Sequence, residues 1–206
     1  MKDPKSEVYL TDCMDIMKNY PDGYFNLAVV DPDFGLNELI SQGGTWASKY
    51  KKGDGNLGGK PEKEYFIELF RISKNQIIWG GNYFIEYLYN TRCFLIWDKV
   101  AQMQTLADCE FAWTSFDENA KIFRHPRNTS EIRIHICQKP IKLYDWIFKN
   151  YSKEGDKIFD SHLGSGSSRI SAYKAGLDFI GCEIDKDYYE AQEKRFRIFK
   201  SQLRLF

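Results

Sequence analysis

Three short segments of this 206-residue chain carry residue types and spacings suited to chemistry. The first is Lys157-Ile158-Phe159-Asp160-Ser161-His162-Leu163-Gly164-Ser165-Gly166-Ser167-Ser168, an apolar strand running into a glycine turn and then a helix. Glycines permit the tight turn and let a ligand approach the backbone, while the helix N-terminus offers backbone N–H groups. Glu183 closes the next strand, Asp178 to Glu183, 23 residues after Asp160. A carboxylate there suits two ribose hydroxyls of a nucleoside cofactor. Only two glycines are present and Ser167 and Ser168 follow at once, so the three-glycine dinucleotide fingerprint is incomplete. A cofactor with a ribose but no pyrophosphate fits better than a nicotinamide dinucleotide. An ordinary βαβ turn with a surface Glu is the plainer alternative.

The second segment is Leu27-Ala28-Val29-Val30-Asp31-Pro32-Asp33-Phe34-Gly35, a buried strand ending in an acid, a proline and a ring. A carboxylate and a free carbonyl at a strand end can both accept from one amino group, and the ring can stack on a planar substrate. By itself a turn with Pro at its second position is the commoner reading. The third, His135-Ile136-Cys137-Gln138-Lys139-Pro140, is a polar strand end leading into a helix. Alone it means only a capped helix.

The elements that must position these segments are legible. Strand-like runs occur at Asn26 to Val30, Gln76 to Trp79, Cys93 to Trp97, Cys109 to Trp113, Lys157 to Phe159 and Asp178 to Cys182. Most are continuous rather than alternating, which predicts an α/β fold with parallel strands covered on both faces. Pro140 is a natural first helical residue, with Ile141, Tyr144, Phe148 and Tyr151 forming one apolar stripe. Helices are also expected over Ser167 to Lys174, ending at Gly176, and over Lys186 to Ser201. Residues 35–60 hold seven of the fifteen glycines, with Lys49, Lys51, Lys52 and Lys60 interspersed. That is a loop by composition, and one of this length is an active-site lid, a binding loop or a disordered insertion.

Length favours one domain over 1–206. The 29 basic and 29 acidic residues cancel, which excludes a protein that coats nucleic acid by bulk charge. Five cysteines, Cys13, Cys93, Cys109, Cys137 and Cys182, form no C-x-x-C pair, so they read as reduced, mostly buried thiols without a zinc site. Charged first residues and short apolar runs lead us to expect an intracellular protein away from any membrane.

Together the three segments resemble the S-adenosylmethionine-dependent DNA amino-methyltransferases, in the permuted class whose catalytic motif precedes the cofactor motif. Asp31-Pro32-Asp33-Phe34 matches three of four positions of that family's Asp/Asn/Ser-Pro-Pro-Tyr/Phe motif, and Asp160 through Ser168 corresponds to its Asp-Pro-Phe-x-Gly-Ser-Gly-Thr-Thr loop. Lys139-Pro140 corresponds to its Lys-Pro element, and the resemblance runs in order from Tyr9-Leu10-Thr11-Asp12-Cys13 to Tyr188-Tyr189. It implies a Rossmann-like methyltransferase fold, a mostly parallel sheet with helices on both faces. It further implies that Asp31 and the Pro32 carbonyl accept the two N–H bonds of a base's exocyclic amine while Phe34 stacks on the flipped-out base. The implied cofactor contacts are Asp160, His162, Gly164, Ser165, Gly166, Ser167 and Glu183, with Lys139 near the methionine end; no metal is needed.

Three departures stand out: Asp33 replaces the second proline, and Ser161 and His162 replace the usual Pro-Phe. Asp33 is expected to relax a rigid turn and His162 to put a titratable ring near the cofactor. Between Lys121 and Lys142, six basic residues face the single acid Glu131. The resemblance places a small target-recognition insertion here, at 98–134. Arg124, Arg127 and Arg133, with Lys49 and Lys52 of the 35–60 loop, are therefore the expected contacts to double-stranded DNA. An Asp-initiated motif favours adenine N6. Cytosine N4 chemistry and a catalytically degenerate DNA-binding subunit stay open, as do a homodimer or a companion restriction enzyme. The expected setting is the cytoplasm of a prokaryote, or a phage-encoded protein acting there.

Overall fold

A computed structural model describes residues 3–35, 59–100, 107–127 and 131–203. Its framework is an eight-stranded sheet: β1 (Ser6–Leu10), β2 (Phe25–Val30), β3 (Ser73–Trp79), β4 (Phe94–Asp98), β5 (Cys109–Thr114), β6 (Lys121–Arg124), β7 (Lys157–Asp160) and β8 (Asp178–Glu183). The strand order is β1-β8-β7-β2-β3-β5-β4-β6. Five of the seven pairings are parallel; β5 alone runs against its two neighbours, β3 and β4. The α-helices among the described residues are α1 (Cys13–Met17), α2 (Lys63–Ile72), α3 (Ile141–Tyr151), α4 (Ser167–Lys174) and α5 (Lys186–Leu203). This is the expected α/β architecture, and its sheet is mostly parallel.

Continuous apolar strands arise because successive side chains point to opposite faces and both faces are covered. In β2, Leu27 and Val29 enter one core, with Leu143, Ile147 and Phe148 of α3. Their neighbours Ala28 and Val30 enter the other, with Met17 of α1 and Phe66, Leu69 and Ile72 of α2. The same split separates Ile158 from Phe159 and Phe179 from Ile180.

Several expectations need correction. In α3 the buried stripe is Leu143, Tyr144, Ile147, Phe148 and Tyr151, whereas Ile141 is only half-buried and Pro140 is the N-cap rather than the first helical residue. Of the cysteines, Cys93 and Cys182 are buried, Cys13 and Cys109 half-buried and Cys137 exposed; all are free thiols. Four elements fall outside the expected set: edge strands β1 and β6, and helices α1 and α2. Strands β5 and β6, both within 98–134, belong to the central sheet. No helix among the described residues is long and apolar enough to cross a membrane.

Candidate active site

Topology brings the chemistry-bearing residues to one edge of the sheet. From β7 the chain passes through α4 to β8, and from β2 through α2 to β3, so the order reverses between β7 and β2. Open α/β sheets bind ligands outside the carboxyl ends of the strands at such a reversal. Asp31 follows β2 and Asp160 ends β7, one on each side of it. Glu183 ends β8 and Lys99 follows β4 on the same edge, while antiparallel β5 begins there and brings Glu110.

At the β2 corner, Asp31 Oδ2 accepts a hydrogen bond from the Lys139 ammonium. Lys139 Nζ also lies 3.2 Å from Glu110 Oε2, and Lys99 Nζ lies 2.9 Å from Glu110 Oε1. The result is an alternating line of four charges, with the Lys139 side chain only 3% exposed. Each lysine also approaches an indole ring: Lys139 lies 5.3 Å from the Trp79 centroid and Lys99 5.6 Å from that of Trp97. Burial pushes the Asp31 carboxyl above its usual range, Lys139 opposes this, and the Glu110 charge adds to it. Burial would raise Glu110 too, but Lys139 and Lys99 together outweigh it and hold the group at about 2. Asp31 Oδ1 is buried and has no hydrogen-bond partner among the described residues.

The rest of this motif is ordered by local contacts. Asp33 Oδ1 accepts from the Gly35 amide at 2.9 Å. The side chain thus closes the turn that a second proline would have stiffened, and the expected relaxation is offset by this bond. Phe34 stacks on Tyr83, with ring centroids 4.9 Å apart and planes 14° apart. It also presses on Gly80: a Cβ there would sit 2.0 Å from Phe34 Cε1, and Gly80 has φ +68°. Only glycine fits that position. Gly80 and Tyr83 are site residues that the motifs do not mark, although Trp79-Gly80-Gly81 at a strand end is a visible signal.

At the β7 corner, polar atoms are tied to one another. Asp160 is buried; its Oδ2 accepts from Ser168 Oγ at 2.5 Å and its Oδ1 from the His162 amide at 3.1 Å. Burial still pushes its carboxyl up to about 7. Ser161 Oγ lies 2.6 Å from Tyr65 Oη and 2.8 Å from His162 Nδ1. Burial pushes the His162 imidazole down to about 4, so the ring is neutral at pH 7. Glu183 accepts from the Gly164 amide at 2.8 Å and the Asp185 amide at 2.9 Å, one on each oxygen. Gly164 and Gly166 are both left-handed, and Gly166 caps α4. Arg195, from α5, donates to the Ser165 carbonyl and to Ser167 Oγ, both at 2.9 Å, and pairs with Glu131. Tyr65 and Arg195 carry no sequence signal for this role, since each reaches the loop from a distant helix.

The expected DNA contacts divide. Arg124 is exposed and lies 3.3 Å from Asp98. Arg127 donates to the Ile136 carbonyl; Arg133 donates to the same carbonyl and to that of Arg127, so these two brace their own loop. Lys49 and Lys52, with most of the 35–60 loop, lie outside the described residues.

A family model described as DNA methylase, for N6 and N4 methyltransferases, matches residues 37–194. The match takes in the glycine loop and Glu183 and starts after Phe34. A 61-residue stretch is 39% identical to the type II methyltransferase M2.DpnII of Streptococcus pneumoniae, covering 30% of this chain and 23% of that protein. The chain aligns with less than a quarter of the length of its curated relatives. Among solved structures, the M1.HpyAVI–SAM complex is similar with a TM-score of 0.59 at 19% identity, over 92% of this chain and 98% of that one. The cytosine-N4-specific PvuII DNA methyltransferase is similar with a TM-score of 0.66 at 14% identity, over 94% and 87%. At these identities the structural likeness speaks to the fold.

Proposed function

Because the chain belongs to the DNA methylase family of N6 and N4 methyltransferases, we propose that it methylates DNA, and that its target is the exocyclic amine of adenine, N6, in a base flipped out of the duplex. The observation that carries this reading is the buried, unpartnered Asp31 Oδ1 at the point where the sheet order reverses. A buried acceptor without a donor is costly, and a substrate amine supplies the donor.

An aromatic amine is a poor nucleophile because its lone pair is conjugated into the ring. Asp31 Oδ1 and the Pro32 carbonyl accept its two N–H bonds, which draws the nitrogen toward a tetrahedral shape and localises the pair. Phe34 offers the ring against which the base packs; such stacking contributes about 1–3 kcal/mol, and here the aromatic surface is shared with Tyr83. Flipping is needed because the amine is otherwise inside the base stack.

The methyl donor in this reading is S-adenosylmethionine, which supplies an electrophilic methyl group on a sulfonium. The β7 corner fits such a ligand: two left-handed glycines shape the turn, and the Glu183 carboxylate, oriented by the Gly164 and Asp185 amides, keeps lone pairs for further donors. Glu183 then receives the ribose hydroxyls, while the Asp160 to Ser167 loop, with His162, Gly164, Ser165 and Gly166, lines the remainder. Arg124 contacts a phosphate, and Arg127 and Arg133 shape the loop beside it.

The choice of adenine rests on the resemblance, in which an acid opening the motif goes with adenine N6 and a serine with cytosine N4. Incubation with S-adenosylmethionine and unmodified double-stranded DNA, followed by sequencing for modified bases, tests it. N6-methyladenine at a defined site is expected; N4-methylcytosine would reassign the base. Retained DNA binding without any modified base would make the chain a degenerate subunit.

A further inference from the structure

Building on that reading, we propose that Lys139 is the positioning residue of Asp31: its ammonium, held by Glu110, which Lys99 holds in turn, fixes the carboxylate by Oδ2 so that Oδ1 faces the substrate amine. The sequence resemblance implies a place for Lys139 beside the cofactor. Its ammonium engages two carboxylates at the β2 corner, and its side chain is almost wholly buried.

The geometry divides the labour between the two oxygens of Asp31. Oδ2 takes the ammonium, while Oδ1 is buried and unpartnered. A carboxylate free to rotate would exchange these roles; one pinned by a charge-assisted bond does not. The pin is rigid because Lys139 is itself held at 3.2 Å by Glu110, on a strand in the middle of the sheet, and Glu110 by Lys99 at 2.9 Å. Lys139 thus has two anchors, and Asp31 has one.

The same line of charges keeps Asp31 able to accept. Burial favours its neutral form, which would present an O–H instead of a lone pair. The groups that act on Asp31 are Lys139 ahead of α3, Glu110 on β5 and Asp33 on its own loop; Asp160 at the end of β7, Cys137 and Tyr144 of α3 feel its charge in return. Lys139 is the cation in direct contact. The two members of the line next to Asp31 therefore act in opposite senses: Lys139 favours the charged form, and Glu110 opposes it. A purely structural ion-pair line would be weakened alike by loss of either member. An electrostatic positioning device responds with opposite signs.

The test is the titration of the Asp31 carboxyl carbon in full-length protein labelled with 13C-aspartate, its signal assigned by its loss in Asp31→Asn. Lys139→Met should move the Asp31 midpoint upward by about 1–3 pH units, as expected for loss of a contacting cation. Glu110→Gln should move it downward, and Lys139→Arg should leave it near wild type. In methyl transfer, the acid limb of the pH profile should follow the same directions, with kcat reduced at least tenfold in Lys139→Met and KM for S-adenosylmethionine little changed. An Asp31 midpoint unmoved in Lys139→Met, or moving the same way in both variants, would overturn the proposal. So would a Lys139→Met defect confined to KM for S-adenosylmethionine. If Lys139→Met does not fold, Glu110→Gln decides alone: a downward shift supports the proposal, and no shift or an upward one overturns it. The titration needs no activity. A wild type that methylates no DNA would remove the functional reading, whereas the titration would still decide whether this network sets the charge of Asp31.

Discussion

The corners that close β2 and β7 face each other across one reversal of the sheet and are built on opposite principles. At the β7 corner each carboxylate oxygen already has a donor from the protein itself: Asp160 from Ser168 and the His162 amide, Glu183 from the amides of Gly164 and Asp185. Helices α2 and α5 add Tyr65 and Arg195. That corner is a preformed cradle, shaped before any ligand arrives. At the β2 corner one carboxylate oxygen is left without a donor while the other is pinned by an ammonium. Binding asks for a fixed shape, whereas chemistry asks for an unmet acceptor held in a fixed direction.

The sharpest way to break this contrast is to damage the cradle alone. Glu183→Ala strips the acceptor from two backbone amides. Hydrogen bonds to a charged group contribute about 1.5–3 kcal/mol each. We expect a large loss of S-adenosylmethionine affinity by calorimetry and a lowered Tm, with DNA affinity retained. Equal losses of both ligands would mean that the corners are not separable.

Next in size is Gly80→Ala, which strikes the β2 corner. A left-handed non-glycine residue costs about 1–2 kcal/mol, and the added Cβ would displace the Phe34 ring. Denaturant unfolding should show at least that loss. Fluorescence of 2-aminopurine at the target position should show weaker stacking, while cofactor affinity stays near wild type.

The pH dependence sharpens the contrast further. Asp160 holds its proton up to about 7 in the folded protein, against about 3.9 for an unfolded aspartate. Below both values it contributes nothing; as pH rises from about 4 to 7 only the unfolded chain releases the proton, so stability falls. Asp160→Asn removes that slope. Its stability relative to wild type should rise across this window by about 1.4 kcal/mol per pKa unit of the elevation. A flat difference across the window would contradict the burial argument. The smallest effect is expected outside both corners: Arg124→Ala should weaken DNA binding uniformly across sequences and lower the salt slope by about one phosphate contact.

Most of this architecture is legible in the sequence because strong local signals agree with the fold. Continuous apolar strands name the central sheet, and the strand, glycine turn and acid name the β7 corner, which one contiguous loop and the next strand supply. What escapes has physical reasons. Edge strands β1 and β6 are short and carry charged or half-buried residues, so Lys121 to Arg124 read as a basic surface rather than as a strand. Helix α2 follows a long glycine-rich stretch, although Tyr65, Phe66, Leu69 and Ile72 keep the helical period. The line from Lys99 through Glu110 and Lys139 to Asp31 is not legible at all. Its members come from separate elements, with Lys139 108 positions from Asp31 in sequence, and only the antiparallel insertion of β5 brings Glu110 to the shared edge.

In the proposed reaction Asp31 supplies the acceptor for the target amine. Transfer of a labelled methyl group from S-adenosylmethionine to unmodified DNA, measured for wild type and Asp31→Ala in parallel with cofactor binding, tests it most directly. Loss of transfer by at least about 10²–10³-fold, with cofactor binding retained, is the predicted result. Transfer that persists in Asp31→Ala would contradict the account.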